Sequence, residues 1–189
     1  MTGDRRIQEL LGIDLPILQA PMAGAQGAAM AIAVTEAGGL GALPCAMLSA
    51  EQRDREWATI RAATPRPVNL NFFCHVPPAP DPARLAAWRA RLAPLYREAG
   101  LDPDMALPAA TRAPFDAQAC AFVEAARPEV VSFHFGLPAP DLLARVKATG
   151  AKILSSATTV AEARWLAERG VDAIIAQGAE AGGHRGLFL

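Results

Sequence analysis

The residues of this chain best suited to chemistry lie in ten positions near its end, QGAEAGGHRG, from Gln177 to Gly186. Gln177 closes an apolar run and carries an amide that both donates and accepts hydrogen bonds. Gly182 and Gly183 permit positive φ and a close approach of backbone to a ligand. His184 projects from the same turn, and imidazole is the side chain whose ordinary pKa allows proton exchange near neutral pH. Together they suit general acid–base work on a ligand held flat against the backbone.

Other candidates stand at the ends of apolar runs. Pro21, Met22 and Ala23 lie in QAPMAG, where small residues and a proline keep the backbone stiff and approachable; the same stretch also reads as a simple turn before an Ala-rich helix. Asn69 and Asn71, two apart, share one face of a strand inside an apolar run. Buried amides need partners, which a polar ligand, water or a neighbouring loop would supply. His134, among Phe133, Phe135 and Gly136, is either a packed core imidazole or a site residue, and His75 has the same two readings. Ser155, Ser156 and Thr158 either line a site or cap the next helix. No second histidine or carboxylate stands at metal-ligand spacing, so no metal site is expected. Nor is there a GxSxG, and no cysteine has a basic partner in the sequence.

The elements that must position these residues repeat in one order. Apolar runs at 15–22, 39–44, 66–73, 129–136, 151–158 and 171–178 read as six strands, apolar on both faces as parallel strands covered by helices must be. Helices are expected at about 25–37, 50–63, 82–99, 115–126, 139–149 and 159–169. In the last of these, Thr159 and Glu162 form a capping box and Gly170 ends the helix. Leu85, Trp88, Leu92 and Leu95 repeat at helical spacing, with Pro94 expected to kink or divide that helix. Alternating strand and helix predicts a parallel α/β fold. The turn APMAGAQG does not fit GxGxxG, so a (β/α)8 TIM barrel is the better expectation, with about six β/α units in residues 1–189. Such barrels run to about 250 residues, so the chain is expected to be a fragment of one. A loop and helix insertion is expected at about 74–114.

Composition narrows the partners. The 189 residues are 52% apolar with a mean hydropathy of +0.18, enough for a sizeable core. Eighteen basic and nineteen acidic side chains give a net charge of -1, which leaves no electrostatic footprint for nucleic acid or an anionic membrane. No apolar stretch reaches the roughly 18 residues of a membrane span. A cytoplasmic protein with a small-molecule partner is expected. The three cysteines, without a CxxC, read as reduced packing thiols.

PILQAPMAG, GGLGALP, VNLNFF, SFHFG, SSATTVAEA and QGAEAGGHRG occur in an order that closely resembles the class I nitronate monooxygenases, formerly 2-nitropropane dioxygenases. The resemblance runs over nearly the whole chain. It implies an FMN-containing barrel enzyme that oxidises alkyl nitronates with O2 to a carbonyl compound and nitrite. By the same resemblance, Pro21, Met22 and Ala23 would meet the flavin through the backbone, Asn69 and Gln177 would bind it with their amides, Gly182 and Gly183 would border it, and His184 would be the active-site base or substrate-orienting group. The phosphate-gripping loops of such barrels follow strands seven and eight, which these residues do not include. Flavin-dependent enoyl-ACP and NADH:quinone reductases are similar around the first run and the EAGGH turn. A catalytically silent partial barrel is the alternative from another class.

Overall fold

The computed structural model describes residues 3–106 and 113–189. Five strands alternate with helices: β1 Gly41–Pro44, β2 Val68–Phe73, β3 Val130–His134, β4 Lys152–Ala157 and β5 Ala173–Ala176. They form one all-parallel sheet in sequential order. The helices are α1 Arg6–Leu11, α2 Ala28–Glu36, α3 Ala50–Ala63, α4 Pro82–Glu98, α5 Ala117–Ala126, α6 Pro140–Ala148 and α7 Val160–Glu168. This is the α/β architecture of a TIM barrel's first units, with five of the six expected apolar runs forming strands.

The first run differs from expectation: instead of a strand, 15–22 makes a single parallel bridge, Leu18 to Leu40. The Leu40 N–H donates to the Ile17 carbonyl and the Gln19 N–H to the Leu40 carbonyl, both at 2.9 Å. The next rung is made by a side chain, Gln19 Oε1 accepting from the Ala42 N–H at 3.0 Å. Pro16 and Pro21 flank this stretch, and neither can donate to a ladder. The backbone is thereby released from the sheet at Ala20, where the Pro21 turn begins. α1 has no counterpart among the expected helices.

Acidic residues fix the starts of strands. Glu129 Oε2 accepts from the Val68 N–H at 3.1 Å, and Asp172 Oδ2 from the Ile153 N–H at 2.8 Å. Each carboxylate precedes one strand and satisfies the first rung of its neighbour, which helps set the register. From there alternation divides the sheet into two faces. Val68, Leu70, Phe72, Val131, Phe133 and Ile153 pack with Ala31, Ile60, Val123 and Val146 of the helices. Asn69, Asn71, Ser132, His134 and Ser156 take the opposite face, where barrels ordinarily carry branched aliphatic side chains. The capping box of α7 forms as expected, Thr159 accepting from the Glu162 N–H and Glu162 from the Thr159 N–H.

Residues 76–110 form a second compact unit. Its helix α4 starts on an Asp81 cap and contains Pro94 without being divided there. Leu85, Trp88 and Leu95 are exposed despite their core-like spacing, and the Arg91 guanidinium lies 5.4 Å from the centre of the Trp88 ring. Part of the insertion expected at about 74–114, residues 107–112, lies outside the described residues. Among the described residues, no helix is long and apolar enough to cross a membrane.

Gly41 marks a tight helix–sheet contact: a Cβ there would run into the Ala31 carbonyl and the Thr35 hydroxyl, which accepts from the Gly41 N–H at 3.2 Å. Gly41→Ala is expected to lower unfolding stability by at least about 2 kcal/mol, measurable as a lower midpoint in urea at unchanged slope.

Candidate active site

The C-terminal ends of β2, β3 and β4 bring together residues the sequence names separately. Register places Phe73 beside His134 and Asn71 beside Ser132. Both Asn69 Nδ2 and Asn71 Nδ2 donate to Ser132 Oγ at 2.9 Å, so each amide has a protein partner. Asn69 Oδ1, by contrast, is buried with no partner. A neutral amide with an open acceptor suits a ligand bearing N–H or O–H groups, and buried polar groups are costly to leave unsatisfied.

The histidine turn closes over these strand ends. The His184 carbonyl accepts from Gln177 Nε2 at 2.9 Å and meets His134 Nε2 at 3.1 Å. The other end of the same Gln177 amide accepts from the Gly186 N–H at 2.7 Å. Both polar atoms of Gln177 are therefore engaged by the turn it precedes. Gly183 has the positive φ expected of it, +75°, whereas Gly182 does not, and a Cβ at either would meet no other atom. Both leave room for a ligand. The His184 side chain itself is exposed.

All three histidines surround two phenylalanines. The Phe73 ring centre lies 6.3 Å from that of His75 and 5.8 Å from those of His134 and His184. Phe135 contacts the same three imidazoles, closest to His134 at 4.3 Å. Phe135 holds φ at +67°, a conformation that costs an L side chain roughly 1–3 kcal/mol and that clusters at functional sites. What that strain secures is a bulky ring among the imidazoles. Phe73 and Phe135 were not singled out by sequence reading; the available signal was their place beside His75 and His134 in FFCH and HFG.

Burial pushes the His134 pKa below its ordinary value, and the charge of a protonated His184 would push it the same way; the bond to the His184 carbonyl opposes both. Burial likewise pushes the thiol of Cys45 up to about 12 and raises those of Cys74 and Cys120. None is set up as a thiolate nucleophile.

Glu162 fixes the far side of the turn. Fully buried, it accepts from the Thr158 N–H and hydroxyl and the Thr159 N–H through Oε2, and through Oε1 from the Phe188 N–H at 2.7 Å. Sequence reading assigned it only the capping box. The ring of Phe188 then packs on Trp165 at 5.2 Å and against Gly136. Pro21, Met22 and Ala23 lie half-buried or exposed after the Gln19 rung, beyond the sheet.

Parallel strands in sequential order, alternating with helices and gathering polar side chains at their C-terminal ends, are the arrangement of a β/α barrel. The nitronate monooxygenase family profile matches residues 4–189, and the chain belongs to that family. It is 45% identical over 188 residues to a nitronate monooxygenase of Paraburkholderia phytofirmans, covering 99% of this chain and 51% of that protein. A nitronate monooxygenase of Pseudomonas aeruginosa is 42% identical, with 97% and 52% covered. Among solved structures, a nitroalkane oxidase from Streptomyces ansochromogenes superposes with a TM-score of 0.82 at 36% identity, covering 97% of this chain and 51% of that one. A variant of FabK from Thermotoga maritima gives 0.71 at 25% identity, covering 96% and 48%. The chain spans about half the length of the curated relatives it matches.

Burial pushes the Glu162 carboxyl up, but the N–H donors of Phe188 and Thr158, with the Thr158 hydroxyl and the Leu189 N–H, outweigh it and bring the pKa to about 2 from 4.5. A lowered carboxylate pKa stabilises the fold above the unfolded value and loses that contribution as pH falls through the folded one. Glu162→Gln is expected to cost about 2 kcal/mol at pH 7, and its deficit against the native chain should close between pH 4.5 and about 2. Denaturant melts of both chains across that range test this.

Proposed function

We propose that the full-length protein carrying this chain is an FMN-dependent nitronate monooxygenase, oxidising alkyl nitronates such as propionate 3-nitronate with O2 to a carbonyl compound and nitrite. The observation that carries the reading is the His184 ring, set on a fixed turn over a polar barrel face in a chain of this family. When bound, FMN would supply the electron acceptance and the O2 chemistry.

The protein's part is binding, orientation and proton handling. The buried Asn69 acceptor and the Pro21–Met22–Ala23 backbone would hold a flat heterocycle by neutral hydrogen bonds and contact, and Gly182 and Gly183 would border it without side chains. Gln177, whose amide is engaged by the turn, would support the ring through that turn. His184 would take the α-proton of a neutral nitroalkane or orient an anionic nitronate. A nitronate arrives already deprotonated and needs the base less. Phe73 and Phe135 would shield the reacting carbon from water. The protein would act in the cytoplasm on small molecules.

The likeness to FabK supports a second reading, a flavin-dependent NAD(P)H oxidoreductase of the enoyl-ACP or quinone reductase type. Anaerobic titration separates the two. Bleaching of a 450 nm flavin band by propionate 3-nitronate without NADH is the expected result, whereas rapid bleaching by NADH alone favours the reductases. A colourless protein that gains no such band with added FMN overturns both and leaves a non-catalytic partial barrel.

His184→Asn is expected to lower turnover of neutral nitroalkanes by at least about 100-fold, the scale of a lost general base, while retaining FMN and part of the nitronate oxidation. Equal turnover of a neutral nitroalkane by mutant and parent would remove His184 from the base role.

A further inference from the structure

We propose that His134 is a positioning residue for His184: its Nε2–H holds the His184 carbonyl, and it does not itself exchange the substrate's proton. The carbonyl only accepts, so the 3.1 Å contact puts a proton on Nε2. The other ring nitrogen, Nδ1, lies 2.5 Å from the Ser156 hydroxyl. In the neutral ring that hydroxyl donates to Nδ1, so both nitrogens are engaged within the protein. Neither is open to take a proton from a ligand.

The ring and the turn are also built to touch. A Cβ at Gly186 would stand 2.7 Å from His134 Cε1, 3.1 Å from Nδ1 and 3.0 Å from Ser156 Oγ. Only a glycine lets the turn lie against the imidazole this closely. Phe73 and Phe135 pack the ring from the strand side, at 5.8 and 4.3 Å between ring centres. Burial favours the neutral form, and the titratable group facing His134 is His184. The result is a clamp of two donors, His134 and Gln177, on one carbonyl, immediately behind the side chain that would do the chemistry.

The kinetic arm of the test rests on the nitronate monooxygenase reading; the structural arm does not. His134→Gln supplies an amide donor for the carbonyl but cannot relay a proton, whereas His134→Leu removes the donor. In the full-length protein, long-range 15N–1H NMR should find the His134 proton on Nε2. Exchange of the Gly186 amide should quicken roughly tenfold in His134→Leu, the factor expected for losing one hydrogen bond, and stay within about threefold of native in His134→Gln. Turnover of neutral nitroalkane should follow the same order, with Gln near native and Leu reduced. A proton found on Nδ1 overturns the proposal. So does a Gln variant as inactive as Leu with Gly186 exchange unchanged, which would make His134 a proton carrier. Where Leu does not fold, the native tautomer and the Gln variant decide alone. An absence of any nitronate oxidation in the native protein would sink the functional reading and leave the tautomer and exchange results to judge the clamp.

Discussion

The register of three parallel strands is the constraint from which the rest follows. Because Asn71 pairs with Ser132 and Phe73 with His134, the inward side chains of β2 and β3 arrive level with one another and with Ser156 of β4. A slip of one residue would turn the asparagines and His134 into the helices and bring Leu70, Phe72 and Phe133 inward. The penalty falls on both faces at once, since the outer face would then bury polar groups without partners. Glu129 and Asp172 pin this register from the N-terminal ends, far from the chemistry. Mechanical precision at the mouth is thus set at the base of the sheet.

On that fixed level the histidine turn is laid down by polar contacts rather than by packing. The His184 carbonyl is held by both Gln177 Nε2 and His134 Nε2, the Gly186 N–H by Gln177 Oε1, and the Phe188 N–H just beyond by Glu162. A turn held at three points loses little further entropy when a ligand arrives, which is how a site attains its geometry before binding. Two of the anchors belong to neighbouring β/α units, β3 and α7, so the turn depends on the barrel having closed that far. Glu162 is buried behind the turn and saturated with donors, whereas Glu180 and Arg185 within the turn are exposed to solvent.

Much of this is legible in the sequence, and the boundary between what is and what is not is physical. The apolar runs place β1 to β5 because buried parallel strands must be apolar on both faces, and the Thr159–Glu162 spacing gives the α7 cap because that motif is local. Asn69 and Asn71 are assigned one face by period alone. Their shared partner, Ser132, lies 61 residues beyond Asn71, and no local rule reaches that far. The first run fails as a strand because a side chain, Gln19, takes over a backbone rung; pattern reading counts apolar residues and has no term for that substitution. The α4 stripe shows the converse, since helical spacing specifies the helix but not what, if anything, covers its face. Glu162 is recognised as a cap, yet its second carboxylate oxygen finds Phe188, 26 residues on, only after folding. Phe135 is hidden for another reason: a positive φ on a phenylalanine runs against its own preference and is imposed by tertiary structure.

The division of labour among the three histidines follows from their surroundings rather than from their type. His134 has both nitrogens engaged and a half-buried ring, which suits holding and not exchanging. His184 presents an exposed ring on a turn whose backbone is fixed. His75 stands at the edge of the same aromatic cluster, against Phe73 and Phe135, and belongs to the wall. Under the proposed function, a held His134 leaves His184 to exchange the substrate's proton beside the cofactor. The strained Phe135 backbone keeps that wall in place, and under the proposed function the clamp behind His184 would keep the base facing it.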